Sequence, residues 1–208
     1  MKYRLHPILL PFFLMLMVTG GISMYAIIFI SLLIHEMGHL IAAKLMGLRV
    51  RSCTIMPYGG ELVIPNRHQA TKKARLIVAF GGPLATFALL LGASFIPFPG
   101  DEVVIRIQVA LLVLNLLPIL PLDGGQALCV LLETNDSRYA TRSLFLLHSM
   151  ALLSVATLLL TYGLPETLPY VCLALFLLFQ NISVFRFRKY ERAYAELKKS
   201  VDVTMNTW

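Results

Sequence analysis

Apolar residues run along this chain in long blocks, neither alternating as in a half-buried strand nor recurring at the spacing of a one-sided helix. Stretches at 7–20, 22–46, 76–96, 104–122, 143–163 and 168–185 are almost continuous hydrocarbon, separated by short polar segments. A helix needs roughly 20 apolar residues to cross the hydrocarbon core of a bilayer. The blocks therefore predict about six transmembrane helices. The first is short and carries Pro7 and Pro11, so it is expected to be tilted, kinked or only partly spanning. Pro97 and Pro99 end the third, and "YGLPETLP" at 162–169 divides the last two.

Two polar segments are more than linkers. "RVRSCTIMPYGGELVIPNRH", between the second and third blocks, holds two short β-prone runs around a glycine turn. It predicts a membrane-associated β-hairpin or re-entrant element. After the sixth block, "FRFRKYERAYAELKKSVDVTMNTW" begins basic and amphipathic and then turns polar, which suits a tail on the membrane surface. The expected organisation is a membrane domain over residues 1–185 followed by a basic cytoplasmic tail over 186–208.

Composition agrees with the blocks. The chain is 58% hydrophobic and 14% charged, whereas soluble domains are about 25% charged. The fold class is an all-α integral membrane protein. Lys2 and Arg4 ahead of an apolar run resemble a signal peptide. However, Gly20-Gly21 leads directly into the second block with no small-residue cleavage site, so the segment is expected to be retained.

Charge then sets the orientation. The net charge of +7 could suggest nucleic acid, but the basic residues sit at the ends of apolar blocks. With six spans, one face carries every Lys and Arg except Arg106, while Asp101, Glu102 and Glu166 lie in the opposite loops. The positive-inside rule makes the basic face cytoplasmic. The expectation is a multi-pass cell-membrane protein with both termini in the cytoplasm and no nucleic-acid partner. Cys53, Cys129 and Cys172 show no paired spacing and read as small apolar fillers.

The second block carries charge where charge is costly. "LLIHEMGHLIAAK" places His35, Glu36 and His39 inside an apolar helix, and an acidic residue at a membrane helix centre costs about 2.5–3.5 kcal/mol. His35 and His39 are four apart and share a helix face. Two imidazoles so placed can hold one Zn²⁺, and Glu36 beside them can serve as the base for an attacking water. Random order at this His and Glu content would give roughly 0.004 such matches. A cluster that merely packs helices is the plainer reading, but ionisable groups inside a membrane are functional by default.

A catalytic zinc normally has three protein ligands. Asp123, in "NLLPILPLDGG" at the cytoplasmic end of the fourth block, is expected at a depth similar to the two histidines. His148 in the fifth block is the rival. Glu133 and Asp136 sit farther out, and His6 and His68 read as interfacial or exposed. Pro118 and Pro121 should break helical bonding before Asp123, and Gly124-Gly125 allows close backbone approach.

"HEMGH" followed downstream by "NLLPILPLDGG" resembles the HExxH and NxxPxxxxDG pair of the site-2 protease family of intramembrane metallopeptidases. "HPILLPFF", "MPYGGELVI" and "AFGGPLATF" are similar to the family too, so the likeness covers most of residues 6–130. It is nearest to the branch that processes a sporulation sigma-factor precursor. The resemblance implies that His35, His39 and Asp123 bind zinc and that Glu36 is the general acid/base. It implies that Asn115 acts near the scissile carbonyl, although spacing alone equally allows Asn115 a helix–helix hydrogen bond. Tyr58, Gly59 and Gly60 correspond to the family's re-entrant region near the substrate path, where a simple cytoplasmic hairpin is the alternative. Within residues 1–208 the likeness departs from the family pattern in showing no PDZ-like insertion between the two motifs and no CBS domain after the sixth block, so regulation through such a module is not expected from these residues.

The functional expectation is an intramembrane zinc metalloprotease that cuts a membrane-associated protein substrate, with membrane-protein inhibitors or regulators and self-association as further partners. The alternative from another class is a metal or proton transporter whose His and Asp residues line a path. That reading predicts ligands spread through the bilayer depth and an acidic partner in the outer half, which the sequence lacks. A catalytically dead protein that holds membrane segments is disfavoured by the intact Glu36.

Overall fold

The computed structural model describes residues 2–5, 7, 17, 22–56, 59–65, 70–134 and 138–205. The chain is mostly helical. In order, its elements are β1 (Lys2–Leu5), α1 (Ile22–Leu45), β2 (Ser52–Met56), β3 (Gly59–Val63), α2 (Lys72–Phe95) and α3 (Asp101–Leu116). There follow α4 (Asp123–Leu132), α5 (Arg138–Thr161) and α6 (Leu168–Met205).

Four helical stretches are long and apolar enough to cross a membrane: Ile22–Leu45, Lys72–Phe95, Ala140–Thr161 and Leu168–Phe187. They correspond to the second, third, fifth and sixth apolar blocks. The first block lies, apart from residues 7 and 17, outside the described residues. The fourth block is resolved differently from the expected span over 104–122. Helix α3 ends at Leu116 after 16 residues, about 24 Å at 1.5 Å per residue, and Asp123 opens a separate 10-residue helix. The cause is local: the residue before a proline is pushed out of the helical region, and Leu117 before Pro118 takes φ −58°, ψ 141°.

Local chemistry fixes the ends of the long helices. Gly47, at φ 68°, lets α1 close in a Schellman motif. Leu48 N–H donates to Ala43 O at 2.9 Å and Gly47 N–H to Lys44 O at 3.0 Å. Thr71 caps α2 by accepting from Ala74 N–H at 3.3 Å. Asp101 and Glu102 fill the first turn of α3, where negative charge complements the helix dipole.

By contact the chain divides into two compact units, Met1–Pro118 with Leu122–Leu132, and Ile119–Pro121 with Glu133–Trp208. In the first, α1 packs most extensively on α2, and α2 also meets α3 and α4. Small residues make the α1–α2 approach close. A Cβ on Gly81 would lie 2.6 Å from Gly38 O, and one on Gly38 would overlap Gly81 O. This is how membrane helices associate when lipid offers as good an apolar environment as a neighbouring helix. Ala42, Ala43 and Val78 form the buried centre of the contact, joined by Leu48, Val50, Ile64 and Ile77. Gln108 of α3 is fully buried and donates to Ser31 Oγ at 2.6 Å, while Ser31 donates to Ile27 O at 2.8 Å. The outward faces carry large apolar side chains such as Ile30, Ile41, Leu84 and Phe87, the surface a helix presents to hydrocarbon.

Beside these helices lies a three-stranded sheet in the order β1-β2-β3. Strands β2 and β3 are antiparallel, with Met56 opposite Gly59, and β1 joins β2 in parallel, with Lys2 opposite Ser52. The β1 strand was not anticipated, because Lys2–Leu5 is too short and too charged to stand out as a strand. In the second unit α5 packs on α6, and α6 runs unbroken past residue 186 to Met205.

Candidate metal centre

Helix α1 carries both histidines on the side it turns to α2. His35 is 3% exposed and His39 9%. Asp123, 8% exposed, is brought to them by the first turn of α4. That turn fits because residue 124 is glycine: a Cβ there would lie 2.8 Å from Leu117 O and would overlap Leu116 O. The close approach expected of the Gly124-Gly125 pair is thus used to seat α4 against the end of α3.

The three side chains converge. Asp123 Oδ2 lies 3.0 Å from His35 Nε2 and 3.2 Å from His39 Nε2, and the two Nε2 atoms are 3.2 Å apart. Ligands 2.0–2.2 Å from a tetrahedral zinc are separated by about 3.3–3.5 Å along each edge. The triangle nearly has those dimensions, and two imidazole nitrogens with one carboxylate oxygen form a catalytic-zinc donor set. Among the described residues these are the only three that group in this way. The donors fit zinc on distance and on chemistry.

Neighbours hold both rings. His39 Nδ1 is 2.7 Å from Val78 O, and a carbonyl can only accept, so Nδ1 carries the hydrogen and Nε2 keeps its lone pair. The 3.3 Å approach of Gly82 N–H to the same nitrogen is the weaker contact. His35 Nδ1 lies 2.8 Å from Thr86 Oγ1, and Thr86 is fully buried. Such partners orient ligating imidazoles in metal sites generally. Val78, Gly82 and Thr86 all come from α2, and no motif marked them in the sequence. For Gly82 and Thr86 the only signal was the "AFGGPLATF" likeness, which assigned no roles, and Val78 lies just before that stretch.

The remaining sequence candidates fall as follows. Glu36 is half-buried on α1 next to His35. Asn115 is half-buried near the end of α3, donating to Leu111 O of its own helix at 3.0 Å. Gly59 and Gly60 begin β3, and Tyr58 lies outside the described residues. His148 is exposed on α5, its ring centroid 6.0 Å from that of Phe145, and is not part of the three-residue group. The converging ligands are also unlike the string of sites a transport path requires.

Comparison with known proteins points the same way. Residues 23–100 match peptidase family M50. The chain is 33% identical over 117 residues to the putative zinc metalloprotease sll0528 of Synechocystis, covering 52% of this chain and 31% of that protein. It is 29% identical over 137 residues to stage IV sporulation protein FB of Bacillus subtilis, covering 63% and 48%. Zinc metalloprotease MJ0392 of Methanocaldococcus jannaschii is 28% identical over 143 residues, covering 60% and 41%. The matched regions thus span less than half the length of each of these curated relatives. The solved site-2 protease from Methanocaldococcus jannaschii shares the fold, with a TM-score of 0.66 at 20% identity over 88% of this chain and 90% of that one. Family match, relatives and fold agree: residues 23–100 are similar to peptidase family M50, and the chain has the fold of a solved site-2 protease.

Proposed function

We propose that this protein is an intramembrane zinc metalloendopeptidase that hydrolyses a peptide bond within or next to the membrane-associated segment of a substrate protein. The observation that carries the reading is the triangle of His35, His39 and Asp123 donor atoms with Glu36 beside it on a membrane-spanning helix. His35 Nε2, His39 Nε2 and Asp123 Oδ2 would hold the zinc. When bound there, zinc supplies Lewis-acid polarisation of a carbonyl and activation of water.

The chain's own residues do the rest. Glu36 takes the proton of the attacking water and passes it to the leaving amine. Val78 O and Thr86 Oγ1 keep the imidazoles in place. Asn115 spends one amide hydrogen on Leu111 O and offers the other to the substrate carbonyl. A helical substrate shields its carbonyls and must unwind locally. Strand β3, which begins at Gly59 and Gly60, is at an edge of the sheet and packs on α1, which supports a role in holding an extended peptide by strand addition, with Tyr58 adjoining it in sequence.

The orientation proposed is both termini in the cytoplasm, from the distribution of Lys and Arg, with the basic segment after residue 185 at the membrane surface. Likeness to the sporulation branch of the family makes a sigma-factor precursor the first substrate to try. Membrane-protein inhibitors or regulators, and self-association, remain part of the proposal, and nucleic acid does not. The deciding experiment is co-expression with candidate single-span or membrane-associated regulators. A shortened product that disappears in Glu36→Gln supports the reading, and a product that persists in that variant defeats it.

A further inference from the structure

Helix α2 presents residue 82 to the metal centre where the two imidazoles meet. A Cβ at Gly82 would lie 2.5 Å from His35 Nε2, 2.7 Å from His35 Cε1, and nearer still to His39 Nε2. Non-bonded carbon atoms rest at about 3.5–4.0 Å, so even a methyl group would overlap both rings. The overlap falls on the two atoms that carry the ligand lone pairs.

Neither side can yield easily. The His39 ring is held by Val78 O at 2.7 Å and the His35 ring by Thr86 Oγ1 at 2.8 Å. The helices cannot move apart without breaking the Gly38–Gly81 contact, where a Cβ on Gly81 would already be 2.6 Å from Gly38 O. The adjacent glycines therefore have separate tasks. Gly81 lets α1 approach, whereas Gly82 meets the histidine rings. Gly92, on the same helix, has nothing within 4 Å of its added Cβ and serves as an internal reference.

We infer that Gly82 is a positioning residue of the metal centre. With no side chain, it lets the backbone of α2 form one wall of the site and leaves His35 Nε2 and His39 Nε2 free to converge on a single cation. The inference rests on the zinc reading above and concerns a residue outside both motifs.

The test uses the full chain purified in detergent, with Gly82→Ala and Gly92→Ala compared by zinc competition against a chromophoric chelator. Gly82→Ala should lose zinc affinity by at least about tenfold, as expected when a ligating imidazole loses its support, while Gly92→Ala keeps it. Near wild-type affinity in Gly82→Ala overturns the inference. A second measurement needs no metal. Thermal unfolding in excess chelator is compared for Gly82→Ala alone and within His35→Ala/His39→Ala, which lacks both rings. The destabilisation should largely disappear without the rings, because interacting residues are non-additive. An equal loss in both backgrounds, or failure of both to fold, assigns Gly82 to helix packing and overturns the inference. Folding of the triple variant where Gly82→Ala alone fails supports it. Should the wild type bind no zinc, the zinc reading falls, and this ring-dependent comparison still decides the role of Gly82.

Discussion

Asp123 Oδ2 sits 3.0 Å from His35 Nε2 across 88 residues of chain. That contact joins the two sequence motifs at one point. It requires a break after α3, a tight first turn of α4 and a close α1–α2 crossing, so several distant substitutions should converge on the same loss.

The ligand set is tested most directly by replacement. Asp123→Ala should lose bound zinc and activity, whereas His148→Ala, on an exposed position of α5, should retain stoichiometric zinc. Metal analysis of both purified variants checks this. Zinc retained in Asp123→Ala and absent in His148→Ala would transfer the third ligand to His148.

Glu36 adjoins the ligands without completing them. Glu36→Gln preserves shape and removes the carboxylate proposed as the base, so the variant should fold and bind about one zinc, while cleavage falls by about 10²–10⁴-fold. Zinc and cleavage must be measured on the same preparation. A zinc-loaded Glu36→Gln that cleaves at near wild-type rate rules Glu36 out as the base.

Thr86 acts through His35. Thr86→Val keeps the branched shape and removes the hydroxyl 2.8 Å from Nδ1, so zinc affinity should fall by about 10–100-fold. Thr86→Ser should recover most of it, because the hydroxyl returns. Equal affinities in all three proteins would mean that this hydrogen bond does not support the site.

The glycine crossing predicts a stability effect. Adding a methyl group at Gly38, where the Cβ would overlap Gly81 O, should destabilise the protein by about 1–3 kcal/mol. Unfolding in chelator measures this apart from metal binding. A Gly38→Ala protein as stable as wild type would show that α1 and α2 do not cross so closely.

Orientation can be read by labelling. With the basic face cytoplasmic, a cysteine replacing Arg67 should react only from the inside and one replacing Gly100 only from the outside. The reverse pattern would invert the topology.

The sequence by itself determined the membrane class and made the candidate ligands legible, and of the six apolar blocks it marked, four are helices long enough to cross a membrane. Those features are local: an apolar block of spanning length announces itself, and His35, Glu36 and His39 lie within one helical turn and a half. Asp123 was legible because one carboxylate stood between proline and glycine at a helix-breaking segment, although its seat at the start of a separate helix was not. Pro118 and the Gly124 contact with Leu116 decided that, and apolar content alone runs straight through the break. Strand β1 needed a partner 50 residues away and had no pattern of its own. Only the tertiary structure revealed Val78, Gly82 and Thr86 at the metal centre. Their contribution is a backbone carbonyl, an absent side chain and a hydroxyl ordinary for a buried helix, and what each does depends on the ring of another helix packed against it.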